Sequence, residues 1–363
     1  EKPNYEIKTE KIKNNYFHFP QIKNNHIQLH NRRYIGNKHK LIEWIFSIIQ
    51  RECKGDTFAD IFAGTGVISK VAIKHYKKII INDFLSSNNV IYHAFFSKDE
   101  WSREKVDSII KGYNSICSED LQDNYFSDNF GGKYFSMNSA KKIGFIRENI
   151  EENREKLKKR EYYILLTSLM YSADKIANTV GHYDAYFKKK HISDTLFIKP
   201  IDTIATKEKE ICIFQEDTNI LVKKIVSDII YIDPPYNSRQ YSRFYHVLET
   251  LTKWDKPKLY GVALKPEPEN MSDYCRNIAK YKFAELIHDI DAKYLIVSYN
   301  NTYESKSNSS KNKITLKQIE DILKRKGETK VFEKSYRHFN AGNTNFNNHK
   351  EYLFVTKVIN SNA

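Results

Sequence analysis

Cysteine is scarce in this chain. Four are present among 363 residues, at Cys53, Cys117, Cys212 and Cys275, and none forms a CxxC pair. That spacing argues against a disulfide framework and against a thiolate zinc site, and it fits a reducing compartment. His182, His246 and His338 are not at metal-ligand spacing either, so no metal is expected. No apolar run approaches the roughly 20 residues that cross a bilayer, and no signal-like segment heads the residues given, so no membrane partner is expected. Acidic residues are in deficit: 45 Asp and Glu face 59 Lys and Arg, a net charge of +14. A surface that basic favours a polyanion, because each neutralised phosphate releases counterions, although a Lys-rich solubility surface has the same composition. Hydrophobic residues at 40% and aromatics at 13% indicate a folded globule.

What is present has the rhythm of an α/β protein. Residues 1–30 read as a polar arm, and Leu41 to Ile49 as a largely buried helix. Thr57 to Ile61 reads as a strand, Phe62-Ala63-Gly64-Thr65-Gly66 as a glycine turn, Val67 to Tyr76 as a helix, and Lys78 to Asn82 as a second strand ending at Asp83. This is the opening βαβ unit of a doubly wound sheet. The stretch from about 86 to 205 is charged, aromatic and mostly helical in pattern, as at Lys141 to Lys159 and Tyr162 to Ile176. Within it, Asn124 to Asn138 reads as a loop. Strands resume at Glu210 to Phe214, Asp228 to Ile232 and Tyr294 to Ser298. A helix is expected at Lys313 to Lys326, and Lys330 to Tyr336 with Glu351 to Lys357 as a closing antiparallel pair. Ser305 to Lys313 reads as a low-complexity loop.

The strongest chemical signal is Asp233-Pro234-Pro235-Tyr236, directly after a buried strand, where ligands of open α/β sheets bind. An exocyclic amine on a nucleobase is a poor nucleophile, because its lone pair is delocalised into the ring. Two acceptors on its two hydrogens, the Asp233 carboxylate and the Pro234 carbonyl, would draw that pair toward tetrahedral geometry. The prolines stiffen the arm and remove competing N–H donors. Tyr236 offers a flat face to a base. Gly64 and Gly66 allow a tight turn close to a ligand, but Ser69 stands where a dinucleotide fingerprint needs its third glycine, which disfavours NAD. Asp83, 17 residues after Gly66, suits the two hydroxyls of a ribose. Asp217, or Glu216 in its place, could meet an adenine amine of the cofactor. Lys38, in Arg33-Tyr34-Ile35-Gly36-Asn37-Lys38, could donate to a cofactor carboxylate.

In chain order, Arg33 to Lys38, Phe62 to Gly66, Asp83 and Asp233 to Tyr236 resemble the ordered motifs of the Dam-type, alpha-class adenine-specific DNA methyltransferases, which include modification enzymes of restriction systems. The resemblance covers about 33 to 90 and 210 to 360. It implies a Rossmann-like S-adenosylmethionine-dependent methyltransferase fold with a mostly helical insertion. The expected organisation is an arm at 1–30, a catalytic domain at 31–90 and 206–363, and a target-recognition insertion at 91–205. S-adenosyl-L-methionine is the implied cofactor, held by Tyr34, Lys38, Asp60, Phe62, Ala63, Gly64, Thr65, Gly66, Asp83, Phe84, Asp217 and Thr218. Asp233, Pro234, Pro235 and Tyr236 are the implied catalytic residues, with Asp233 and Pro234 holding the amine and Tyr236 stacking a flipped base. The chain departs from compact members in the length between Tyr236 and Tyr294, which adds a proline-rich loop at Lys256 to Glu269 of unassigned role.

A base inside a duplex must leave the stack before it can react. The implied partner is therefore double-stranded DNA, with a cognate restriction endonuclease acting on the same site, in a bacterial cytoplasm. Candidate DNA contacts are Arg239, Gln240, Tyr241 and Arg243 beside the catalytic tetrapeptide, His182, Lys188 and Lys189 in the insertion, and Arg337 and Asn340 in the closing loop. Two rivals remain: action on another amine, such as cytosine or RNA adenine, and a DNA-binding subunit that has lost catalysis. By the resemblance, Asp at 233, rather than the Ser of cytosine enzymes or the Asn of protein-glutamine enzymes, disfavours the first, and the complete motif set disfavours the second.

Overall fold

The computed structural model describes residues 26–188, 191–192, 195–206, 208–302, 311–335 and 349–359. Seven strands, β1 (Thr57–Asp60), β2 (Lys78–Asn82), β3 (Glu210–Phe214), β4 (Val226–Ile232), β5 (Asp291–Asn300), β6 (Gly327–Ser335) and β7 (Lys350–Val358), form one sheet. The order is β3-β2-β1-β4-β5-β7-β6. Strands β1 to β5 pair in parallel, and β7 lies antiparallel between β5 and β6. The expected Rossmann-like architecture is the one observed, including the closing antiparallel pair.

Among the described residues twelve α-helices accompany it: α1 (Ile42–Glu52), α2 (Val67–His75), α3 (Ser86–Phe96), α4 (Arg103–Ser115), α5 (Tyr125–Phe130), α6 (Met137–Glu152), α7 (Lys159–Ile176), α8 (Thr218–Leu221), α9 (Tyr241–Phe244), α10 (His246–Lys253), α11 (Ala279–Asp289) and α12 (Leu316–Lys324). They cover both faces of the sheet, which is why its inner strands are continuous apolar runs. Period-two alternation sorts the side chains. Phe58, Ile79, Ile81, Ile229 and Tyr231 pack toward α1, α2, α3, α7 and α10, whereas Ala59, Ile80, Ile230 and Ile232 pack toward α8, α11 and α12.

The helical segment between β2 and β3 is not a satellite. Phe126, Phe130, Ile143, Leu166 and Leu169 belong to the same apolar cluster as Phe58 and Ile79 of the sheet. Ile27 is also joined to this segment, bridging to Ile201. The loop expected at Asn124 to Asn138 is corrected here. Asn124 caps α5 by accepting from the N–H groups of Phe126 and Ser127, and Phe126, Phe130, Tyr134 and Phe135 are all fully buried. A side-chain cap and tertiary burial thus override the weak helical signal of a Gly- and Asn-rich stretch. The helix expected at Lys141 to Lys159 divides into α6 and a turn before α7.

The unassigned loop after α10 is tied down at several points. Tyr125 donates to the Pro257 carbonyl at 2.6 Å, and Tyr134 to the Ala263 carbonyl at 2.9 Å. Trp254, Lys256, Leu264 and Asn270 all adopt positive φ, between 50° and 58°. Ser305 to Lys313 falls mainly outside the described residues.

Candidate active site

Strand β1 has β2 on one side and β4 on the other, so the loops leaving β1 and β4 diverge and open a crevice at their carboxyl ends. The crevice holds a cavity with about 940 Å³ of empty space, part of it open to solvent. Each of the four strands β1 to β4 delivers an aspartate to its wall: Asp60 ends β1, Asp83 follows β2, Asp217 follows β3 and Asp233 follows β4. The segment Tyr34 to Lys38 closes the cavity from the N-terminal side. Of the expected cofactor residues, Tyr34, Lys38, Asp60, Phe62, Ala63, Gly64, Thr65, Asp83, Phe84, Asp217 and Thr218 all line it, as do Asp233 to Tyr236. Gly66 does not. It sits beneath the turn at φ 73°, where a Cβ would come within 3.1 Å of the Tyr92 ring.

The glycine turn is held from below. The Gly64 N–H donates to Asp83 Oδ2 at 2.9 Å, and Tyr92 donates its hydroxyl proton to the Gly64 carbonyl at 2.7 Å. Asp83 Oδ1 accepts from the Leu85 N–H at 2.9 Å. Burial raises the Asp83 carboxyl above its ordinary range, and these donors act against that rise. Asp217 caps α8 by accepting from the Asn219 N–H at 2.9 Å. The Phe62 ring meets Tyr274 edge-on, with centroids 5.1 Å apart.

Asp60 is the most telling of the four. Ser69 donates to its Oδ2 at 2.7 Å, while Oδ1 is buried without a hydrogen-bond partner. Burial, with Asp233 and Asp83 nearby, pushes its carboxyl up to about 7. An orphaned buried carboxylate oxygen is costly unless a donor or cation reaches it. Four acids against Lys38 make the wall acidic, which suits a cationic ligand and opposes a pyrophosphate.

At the β4 end a second cluster forms. Lys38 Nζ lies 3.1 Å from Asp233 Oδ2 and 3.0 Å from Glu351 Oε1. Tyr236 donates its hydroxyl proton to Asp233 Oδ1, and Lys38 donates to the Tyr236 hydroxyl. Burial raises the Asp233 carboxyl to about 6; Lys38 acts against this and Glu351 reinforces it. Burial pulls the Lys38 ammonium down, but Asp233 and Glu351 outweigh it and hold the ammonium charged. Lys38, expected to meet a cofactor carboxylate, therefore directs its charge at Asp233. The corner itself is fixed by the Lys313 N–H, which donates to the Tyr236 carbonyl at 2.7 Å. The Tyr236 ring packs edge-on against Tyr299 at 4.8 Å.

Two of the expected DNA contacts line the cavity, and both are engaged. Gln240 Nε2 donates to the Ser272 carbonyl at 2.9 Å and its Oε1 accepts from the Ser272 N–H at 2.8 Å. The Tyr241 ring lies 5.4 Å from Tyr34. Arg243 donates to the Pro266 carbonyl, His182 stacks on Phe244 at 4.7 Å, and the Arg239 guanidinium lies 5.8 Å from the Phe244 centroid. Lys188 is exposed and away from the cavity. Lys189, Arg337 and Asn340 lie outside the described residues. Sequence reasoning missed Tyr231, Asn270, Ser272 and Tyr274 in the wall, and Glu351 behind it. Glu351 stands directly before the buried apolar run Tyr352 to Val355, but nothing local in the sequence ties it to Lys38.

The comparisons agree with this geometry. The model of the family described as D12 class N6 adenine-specific DNA methyltransferase matches residues 34–310, a span that includes all four aspartates. The chain is 31% identical to the type II methyltransferase M.NlaIII of Neisseria lactamica, covering 89% of this chain and 98% of that protein. It is 32% identical to M.CviAII of Paramecium bursaria Chlorella virus 1, covering 90% and 98%. Identity to the modification methylase LlaI of Lactococcus lactis subsp. lactis is also 32%, and there the match covers 86% of this chain but only 52% of the relative. A model match across most of the chain, over the strands that build the acidic crevice, and two relatives matched nearly end to end place it in one family: the chain belongs to the D12 class of N6 adenine-specific DNA methyltransferases.

Proposed function

We propose that this chain binds S-adenosylmethionine against Asp60, Asp83 and Asp217, and that Asp233 and Pro234 present the 6-amino group of an adenine extruded from duplex DNA to it. One observation carries the reading: the Asp233 carboxylate opens onto the same cavity as three further aspartates, so acceptor and cationic donor share one space. The cofactor, when bound, supplies an electrophilic methyl group on a sulfonium that leaves as a neutral thioether. Asp233 keeps acceptor capacity for an amine hydrogen, because each carboxylate oxygen has two lone pairs and Tyr236 and Lys38 use one each. Lys38 and Glu351 fix that carboxylate, so reorganisation during transfer is small. With its carboxyl near 6, Asp233 can also take the proton that the methylated amine must lose.

In this reading the segment 91–205 reads the target sequence, and Arg239, Arg243 and Lys188 meet the phosphates. The cognate endonuclease expected of a restriction system would act on the same site in a bacterial cytoplasm. Incubating defined duplexes with methyl-labelled cofactor, then digesting to nucleosides, tests the proposal. Label in N6-methyl-2′-deoxyadenosine is expected. Label confined to cytosine, RNA or protein would overturn it.

A further inference from the structure

A buried cation stands behind the cofactor wall and has no part in the chemistry above. Arg32 is 4% exposed. Its guanidinium carbon lies 5.1 Å from the Tyr34 centroid and 5.2 Å from the Tyr245 centroid. Those two rings are themselves stacked at 4.7 Å with an 8° interplanar angle. Arg32 Nη1 donates to the side-chain oxygen of Asn88, which is fully buried. The Asn88 amide donates to the Tyr34 hydroxyl at 3.3 Å, and it acts on the neighbouring Asp83 carboxyl against the rise caused by burial. Tyr34 and Asp83 both line the cavity, and Arg32 does not.

We propose that Arg32 is a positioning residue for the cofactor, acting through Asn88 to keep Asp83 ionised and Tyr34 fixed at the cavity wall. The need for such a cation follows from the surroundings. Asp83 is buried among Tyr34, Tyr92, Tyr241 and Asp60, and the positive charge of Arg32 favours its ionised form. A carboxylate with no positive charge nearby takes up a proton when buried. Protonated Asp83 would lose acceptor capacity for a ribose diol. An amide suits this place, because it accepts from the guanidinium while its own N–H groups donate to Tyr34 and favour the ionised form of Asp83 beside it. The aromatic pair fits the same role: its faces attract the guanidinium and fix its plane.

The inference rests on the reading that Asp83 receives the cofactor ribose, so its test separates the two. Cofactor dissociation constants would be measured by calorimetry from pH 6 to 8.5 for the unaltered chain, Arg32→Met, Arg32→Lys, Asn88→Ala and Asp83→Asn. Arg32→Met should weaken binding about tenfold at pH 7, and the deficit should shrink as pH rises and Asp83 ionises without help. Arg32→Lys should keep the ordinary pH profile, since the charge remains. If Arg32→Met does not fold, Asn88→Ala carries the test, with a smaller deficit of the same pH dependence. Asp83→Asn should weaken binding at every pH. Loss with Asp83→Asn but a pH-independent or absent deficit in the Arg32→Met and Asn88→Ala proteins overturns the role of Arg32 alone. No loss with Asp83→Asn overturns the ribose reading beneath it.

Discussion

In the proposed reaction Asp233 concentrates the chemistry, and its surroundings make its protonation measurable. It accepts an amine hydrogen only as a carboxylate, and burial places its carboxyl at about 6. Single-turnover transfer at saturating cofactor should be level above about pH 7 and fall about tenfold per unit below 6. Saturation matters because Asp60, held at about 7, titrates in the same window and would alter cofactor binding instead. Removing the ammonium with Lys38→Met leaves Asp233 facing Glu351, so the fall should begin at higher pH; an unmoved profile would remove Lys38 from this role. Asp233→Ala should lower the transfer rate by roughly 10²- to 10⁴-fold while DNA affinity stays within about twofold. Equal loss of both in a filter-binding assay would contradict the assignment. At this scale Lys38, Asp233 and Tyr236 were visible in the sequence because each sits in a short local motif. Glu351 was not, because it reaches Lys38 only through the pairing of β7 with β5, where it stands opposite Asn300.

The elements were legible where period and punctuation agree. KIIIN and DIIYI could only be buried strands once the glycine turn between β1 and α2 was recognised. Gly66 is the hinge of that turn, at φ 73° as the N-cap of α2, with Tyr92 and Phe96 against it. Gly66→Ala combines a left-handed backbone with a crowded Cβ and should cost about 1–2 kcal/mol, read as a lower melting temperature. An unchanged melting temperature would mean the turn relaxes freely. Helix α5 was illegible because its six residues depend on one cap and on aromatic burial. Asn124→Ala should cost about 1 kcal/mol by denaturant titration, whereas a change at an exposed site such as Lys111 should cost almost nothing.

Across the whole molecule, charge is divided by place. The chain carries a net +14, yet the cavity wall presents four aspartates against one lysine that is already paired. Composition revealed the first fact and could not reveal the second, since the acids are spread from residue 60 to residue 233 and meet only at the sheet's carboxyl edge. Nor could it reveal that the helical segment after β2 shares one apolar cluster with the sheet. The division has a measurable consequence. A basic exterior binds DNA by releasing counterions, so its affinity should fall steeply with salt. In the proposed site, cofactor affinity comes from buried groups that salt screens weakly. Raising sodium chloride from 50 to 200 mM should weaken DNA binding by roughly ten- to a thousandfold and cofactor binding by less than about twofold. Arg239→Ala should lower the slope of log affinity against log salt by about one if that guanidinium meets a phosphate. Parallel salt dependence for the two ligands would mean that both bind to one electrostatic surface, and the separation of an acidic crevice from a basic exterior would no longer explain how a cation and a polyanion are held by the same chain.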